Sequence, residues 1–123
     1  MGADFYRTAT ITLSLTGTTG EATSDISLDG EIVSIVAQHD HGGGTLDLTF
    51  TEIGNTVRPD QTLTVLSNGA KGPVVPAIQA VDAAGAVIAG VYMPRYVAGY
   101  IKMAAAQGTN GDDITAWVTV RRS

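Results

Sequence analysis

The feature that most constrains the fold of this chain is the strict alternation of apolar and polar side chains over short segments. In TATITLSLT, residues 8–16, Ala9, Ile11, Leu13 and Leu15 alternate with Thr or Ser. Successive side chains of a β-strand point to opposite faces of the sheet, so this period of two predicts a strand with one buried face. The same pattern recurs in TLDLTFTEI (45–53), QTLTVL (61–66) and DDITAWVTVRR (112–122).

Turn-forming residues separate these segments and set the number of strands. Asp29-Gly30 and Asn110-Gly111 are dipeptides typical of hairpin turns. Prolines and glycines interrupt the alanine-rich run 72–94 too often for a long helix, so we predict two extended segments joined at 83–85. About eight short strands predict an all-β chain folded as a single antiparallel β-sandwich or small barrel, jelly-roll-like in form. We expect one domain over residues 1–123, with residues 1–7 as an N-terminal arm.

Composition narrows the classes of partner. The 123 residues include 7 Lys and Arg against 12 Asp and Glu, a net charge of -5. Nucleic acids and anionic membranes are bound by clustered basic residues, so neither is an expected partner. Because the chain has no cysteine, disulfides, thiolate metal sites and cysteine nucleophiles are excluded. No signal peptide or membrane span is recognisable, and we expect the chain to be made in the cytoplasm.

The usual catalytic motifs are not found in the sequence. There is no G-x-S-x-G motif, which argues against a serine triad. The carboxylate pairs Asp25/Asp29 and Asp112/Asp113 border predicted turns, where Asp accepts hydrogen bonds from backbone N–H groups. The glycine run 42–44 is not followed by the helix and lysine that a phosphate loop requires. We therefore expect no enzyme and no cofactor.

The stretch QHDHGGGT, residues 38–45, holds both histidines of the chain. His39 and His41 share one face of a strand, a spacing that metal sites use. A three-residue hairpin loop would bring His39 opposite Asp47, whereas a two-residue turn at Gly42-Gly43 would place Asp47 on the other face. We prefer the two-residue turn, because it collects the apolar residues Val33, Ile35, Ala37, Leu46, Leu48 and Phe50 on one face.

Structural histidines are accordingly favoured over a metal site at His39 and His41, since zinc normally needs three or four protein ligands. Other copies of the chain could supply the missing ligands, so that alternative stays open.

Aromatic residues outside the predicted core are candidates for protein contacts. The inward set of the last strand is Ile114, Ala116, Val118 and Val120, which places Trp117 on the opposite face, either beneath a loop or in a contact. Trp and Tyr are enriched where proteins meet. The predicted partner-binding residues are Phe5, Tyr6, Arg7, Tyr92, Met93, Arg95, Tyr96 and Trp117.

Two long segments carry a family resemblance. AVDAAGAVIAGVYMPRYVAGYIKMAAAQG (80–108) and ITAWVTVRR (114–122), with the Thr-rich first strand, resemble the small β-sandwich structural proteins of tailed bacteriophages. Members of that group act as capsid decoration, or cement, proteins. The resemblance implies a virion structural protein on the capsid exterior that binds the major capsid protein and copies of itself, as a homo-oligomer such as a trimer.

Three alternatives remain at this point. The first is attachment at the neck or tail of the virion. The second is a carbohydrate-binding β-sandwich that stacks sugars on Trp117 and the tyrosines. The third, weaker alternative is a metal-dependent enzyme centred on His39 and His41.

Overall fold

The computed structural model describes residues 5–122, with the backbone alone at Gln79, and every regular element in that part of the chain is a β-strand. None of the described segments forms a helix with the length and apolar character of a membrane span. The strands are β1 (Phe5–Ser14), β2 (Gly20–Thr23), β3 (Leu28–His39), β4 (Asp47–Glu52), β5 (Gln61–Leu66), β6 (Ala77–Val81), β7 (Val87–Pro94), β8 (Tyr96–Gly99), β9 (Ile101–Ala106) and β10 (Asp113–Arg122).

Eight of these strands form two four-stranded antiparallel sheets, with the orders β1-β10-β3-β8 and β2-β9-β4-β5. The partners are those of one long hairpin wound up on itself: β1 pairs with β10, β2 with β9, β3 with β8 and β4 with β5. This winding is the topology of a jelly roll. The predicted all-β, jelly-roll-like sandwich is therefore confirmed.

The alternating pattern identified the buried faces of the first and last strands. Leu13 and Leu15 are 9% and 3% exposed, and Ile114 and Val118 are fully buried. The inner faces of the two sheets meet in one apolar core, in which Phe50 and Met103 are also inaccessible. Further fully buried members are Ala9, Ile11, Ile32, Ile35, Leu46, Leu48, Ile101, Ala116 and Val120.

One predicted core residue is wrong because β3 carries an irregularity. Thr119 of β10 pairs with Ser34, but the next residue, Val120, pairs with Ile32, so Val33 is an extra residue in β3. Such a bulge shifts the alternation by one position. Ile32 is consequently buried in the core, and Val33 is only half-buried.

The predicted hairpin turns are also corrected. The run 42–44 lies between β3 and β4, and residues 107–112 connect β9 to β10. In each case the first strand belongs to one sheet and the next strand to the other, so neither connection closes a hairpin. Neither register considered for the histidine segment is therefore formed. Asp29-Gly30 lies inside β3, where a Cβ on Gly30 would come within 2.5 Å of the Arg121 carbonyl oxygen. Glycine there permits close approach of β10 instead of making a turn.

Strands β6 and β7 form a two-stranded sheet outside the sandwich. They confirm the two predicted extended segments and their junction at 83–85. In the winding of the chain they are inserted between β5 and β8, so the jelly roll is complete without them.

Candidate functional site: an exposed apolar hairpin

The most unusual surface of the molecule is the segment 77–94, which comprises β6, β7 and their turn and is called here the apolar hairpin. Its single charged residue is Asp82. Every residue from 81 to 94 is exposed, so neither face of β7 is covered by the sandwich. Seven large apolar or aromatic residues of the hairpin are 39–61% exposed, namely Ile78, Val81, Val87, Ile88, Val91, Tyr92 and Met93.

This combination of sequence and exposure is not that of a stable free surface. Continuous apolar runs such as VIAGVYM are typical of strands buried on both faces, and an isolated two-stranded hairpin is only marginally stable in water. With roughly 150 Å² for a large side chain, the seven residues leave on the order of 500 Å² of side-chain surface open to solvent. The exposed alanines of the hairpin add to this area. The total approaches the roughly 800 Å² that one partner contributes to a standard protein interface.

The tip of the hairpin is a well-defined turn. Asp82 Oδ1 accepts hydrogen bonds from the backbone N–H groups of Ala84 and Ala86, both at 2.9 Å. The N–H of Gly85 donates to the carbonyl of Asp82 at 3.0 Å, and Gly85 adopts a φ of 86°. The Asp82 carboxylate is thus held at the outer end of the hairpin.

At its base, the hairpin borders an ion pair whose carboxylate is buried in the sandwich and whose guanidinium is partly exposed. Glu52, the last residue of β4, is 1% exposed. Its Oε2 accepts hydrogen bonds from Arg58 Nη2 and from the backbone N–H of Ala98, each at 2.8 Å. Because a buried carboxylate needs charged and polar partners, these contacts tie the loop 53–60 and β8 to the end of β4.

Arg95 lies between β7 and β8 beside this ion pair. The N–H of Ile32 donates to its carbonyl at 2.8 Å, which fixes the backbone of Arg95 to the sandwich. Its Nε is buried and has no hydrogen-bond partner among the described residues. Arg95, Arg58 and Tyr96 line a depression of about 390 Å³ at the base of the hairpin, together with Glu52, Gln61, Ile78 and Pro94.

The histidines occupy the other prominent polar cluster. His41 Nδ1 lies 2.7 Å from Asp112 Oδ2, and His41 Nε2 lies 3.0 Å from Thr45 Oγ1. The Thr45 hydroxyl also donates a hydrogen bond to the carbonyl of Gln107 at 3.2 Å. The arrangement joins the β3–β4 loop to the β9–β10 loop.

His39 and Asp112 have shifted proton affinities with different causes. Burial lowers the pKa of His39 from 6.5, and the charge of Lys71 lowers it further. A hydrogen bond from the Thr109 backbone N–H, and then the contact with His41, lower the pKa of Asp112 from 3.8. Asp112 thus accepts a backbone hydrogen bond in a turn, as predicted for this residue.

His39 makes different contacts from His41. His39 Nδ1 accepts a hydrogen bond from the His41 backbone N–H at 3.3 Å, and its Nε2 is buried without a hydrogen-bond partner among residues 5–122. No group of three or more His, Cys, Asp or Glu side chains in that range is placed to hold a metal ion. Asp47, the residue on which the metal alternative depended, binds Asn68 and Gln107.

The predicted contact residues are distributed over several surfaces. Tyr92 and Met93 belong to the apolar hairpin, and Arg95 and Tyr96 lie at its base. Phe5, Tyr6 and Arg7, expected in the N-terminal arm, are the first residues of β1, where Phe5 and Tyr6 are 68% and 64% exposed. The other residues expected in that arm, 1–4, lie outside the described residues.

Trp117 belongs to the same sheet as Tyr6 and Tyr96 and lies apart from Tyr96 along it. It is half-buried on the outer face of its sheet, between Thr10 and Val36. Tyr96 pairs with Glu31, five residues before Val36 on the same strand β3, which corresponds to about 16 Å along the strand. The two rings therefore do not form a continuous stacking platform.

Most of the hairpin was missed as a contact surface in the sequence, although its extended conformation was predicted. The signal that could have identified it is the run of apolar residues on both faces of a strand next to a single acidic turn residue. Comparison of the chain with protein-family models, with curated proteins and with solved structures gives no match.

Proposed function

We propose that this protein is a structural subunit of a virion, a decoration protein that stabilises the capsid of a tailed phage by binding the major capsid protein. The observation that carries the proposal is the apolar hairpin, whose large side chains are exposed on both faces. A contact site of this kind serves binding by burial of surface and requires no catalytic group.

Two further observations support an assembly role. Only 15% of the residues of the chain are charged, so the surface can meet a protein partner with little desolvation of charge. Jelly rolls occur among viral capsid proteins, lectins and cupins, so the fold is compatible with the proposal without selecting it. The apolar hairpin and the resemblance of segments 80–108 and 114–122 are what favour a decoration protein over the other functions of this fold.

The test compares two matched pairs of exposed valines. In Val87→Ser/Val91→Ser the apolar hairpin loses two apolar side chains, whereas in Val57→Ser/Val65→Ser the same change is made outside it, at positions 91% and 45% exposed. Each variant is incubated with purified capsids of the phage whose genome encodes the chain, and retention is measured by co-sedimentation. Surface substitutions of this kind change folding stability by only about 0.5 kcal/mol.

The hairpin variant should lose at least about tenfold in capsid affinity, and the control should bind like the wild type. Equal retention of all three proteins would contradict the proposal. Running the assay on separated capsids and tails also tests the neck or tail alternative, because retention on tails alone would assign the protein there.

A further inference from the structure

The depression at the base of the apolar hairpin carries an unbalanced positive charge. Of the residues that line it, Arg58 and Arg95 are basic and Glu52 is acidic. The Glu52 carboxylate is already bound by Arg58 and by the Ala98 backbone N–H. One guanidinium charge, that of Arg95, therefore remains without a counter-charge in the depression.

The lack of a counter-charge costs free energy at the position of Arg95. Its Nε is buried without a hydrogen-bond partner among residues 5–122, and its backbone is fixed by Ile32. A buried donor that is left unpaired loses the hydrogen bonds that it made to water. A carboxylate is the group that best matches a guanidinium, since its two oxygens accept two parallel N–H bonds. The depression is thus suited to a single carboxylate on an otherwise apolar ligand.

The apolar hairpin itself presents that chemistry. Asp82 is its only charged residue and stands at its tip. Both turn hydrogen bonds of this side chain are accepted by Oδ1, at 2.9 Å each, which leaves Oδ2 for a ligand outside the turn. The walls of the depression, formed in part by Ile78, Pro94 and Tyr96, suit the apolar residues beside Asp82.

We infer that the occupant is a second copy of this chain, whose hairpin tip places Asp82 against Arg95. The inference rests on the proposed function, since it makes the apolar hairpin the element that links neighbouring subunits on the capsid. The tip of one copy contacts the base of the next, so the two surfaces are different and the contact is heterologous. Repeated around an axis, such a contact closes a ring of subunits.

Two charge-removing variants test the pair. Asp82→Asn keeps a side-chain oxygen for the turn and loses the charge, and Arg95→Gln removes the guanidinium. Self-association is measured by sedimentation equilibrium over a wide concentration range. Each variant should have a dissociation constant at least about tenfold higher than the wild type, because one partner of a desolvated ion pair is lost.

A mixing experiment tests whether the pair joins two copies. Asp82→Lys and Arg95→Glu should each be monomeric, and in an equimolar mixture the two variants should associate, because each contact between unlike variants again joins opposite charges. An unfolded variant cannot be rescued by mixing, so recovery also shows that both chains are folded. If a variant proves unfolded by circular dichroism, Asp82→Asn and Arg95→Gln decide the question.

The outcomes separate this inference from the proposed function. Three results would each overturn the inference. Asp82→Asn and Arg95→Gln could associate like the wild type, the folded mixture could fail to associate, or the wild-type chain could stay monomeric at every concentration. In those cases, loss of capsid binding by Val87→Ser/Val91→Ser would still support the proposed function. Wild-type capsid binding by that variant overturns the proposed function, whatever the state of the ion pair.

Discussion

His41 Nδ1 and Asp112 Oδ2 lie 2.7 Å apart and join two loops that are 71 residues apart in the chain. Both side chains are largely buried, at 4% and 12% exposure. Because β3–β4 and β9–β10 both cross between the sheets, this contact joins the two crossing connections at one end of the sandwich.

Removal of the imidazole should therefore destabilise the fold. His41→Ala loses the hydrogen bonds to Asp112 and Thr45, and we expect the free energy of unfolding to fall by about 1–3 kcal/mol. Thr45→Val keeps the side-chain shape and loses the contacts of the hydroxyl with His41 and Gln107, but it leaves the His41–Asp112 contact in place, so its effect should be smaller. Urea denaturation of the three proteins measures the difference. An equal loss in both variants would contradict a role of the His41–Asp112 contact in stability.

His39 should make the stability fall as the pH is lowered below about neutral. Burial lowers the pKa of His39 from 6.5, so below that pH the unfolded chain takes up a proton at this residue before the folded chain does. Stability falls wherever the unfolded state binds more protons. The contribution of His39 is therefore complete above pH 6.5 and is lost as the pH falls toward the lower pKa of the folded state.

The measurement is the free energy of unfolding of the wild type and His39→Asn from pH 8 to pH 4. The asparagine variant has no group that titrates there at position 39, and its curve should be flatter just below pH 6.5. The pKa of Asp112 is lowered from 3.8, so its contribution to stability is complete above that pH and is lost only at lower pH. This contribution is the same in both proteins. Parallel curves over the whole range would show that His39 does not resist protonation in the folded chain.

The ion pair between Glu52 and Arg58 should contribute more than the other ion pairs of the surface. Arg58→Ala leaves the carboxylate of Glu52, 1% exposed, with the Ala98 backbone N–H as its remaining hydrogen-bond partner among the described residues. We expect a loss of about 2–3 kcal/mol, below the roughly 3–5 kcal/mol of fully buried pairs, since the Arg58 side chain is 44% exposed.

Arg122→Ala is the matched control for that change. Arg122 lies 3.9 Å from Asp29, and both side chains are well exposed. Exposed pairs contribute about 0–1 kcal/mol, so this variant should unfold almost like the wild type. Thermal unfolding of both variants gives the comparison, and equal melting temperatures would mean that Glu52 is solvated in the folded chain.

The buried faces could be predicted from the sequence because the alternation of a strand is local. Leu13 and Ile114 face the core as their neighbours in the sequence required. The pairing of strands could not be predicted in the same way. A loop such as 42–44 has the same glycines whether it closes a hairpin or crosses between two sheets, and the choice depends on partners far along the chain.

The candidate site was predictable only in part for the same reason. The segments around β6 and β7 were recognisable as extended, but exposure on both faces depends on where the remaining strands lie. The contact between His41 and Asp112 joins residues far apart in sequence, and the spacing of the two histidines carried no trace of it. The buried Nε of Arg95 likewise follows from the packing of β8 on β3.

The substitution Gly30→Ala tests whether Asp29-Gly30 lies inside a strand or in a turn. If Gly30 lies in β3 against β10, an alanine Cβ would come within 2.5 Å of the Arg121 carbonyl oxygen, in a backbone conformation with a φ of 147°. Backbone atoms of a central strand cannot move away without breaking pairs, so we expect Gly30→Ala to cost about 2–4 kcal/mol.

Gly43→Ala separates this steric contact from backbone strain alone. Gly43 also has a positive φ, 96°, but an added Cβ would meet no atom within 4 Å. Strain alone costs roughly 1–2 kcal/mol, so the excess loss in Gly30→Ala measures the contact with Arg121. If instead Asp29-Gly30 formed an exposed turn, both substitutions would cost the same in urea denaturation, and the pairing of β3 with β10 at this point would be refuted.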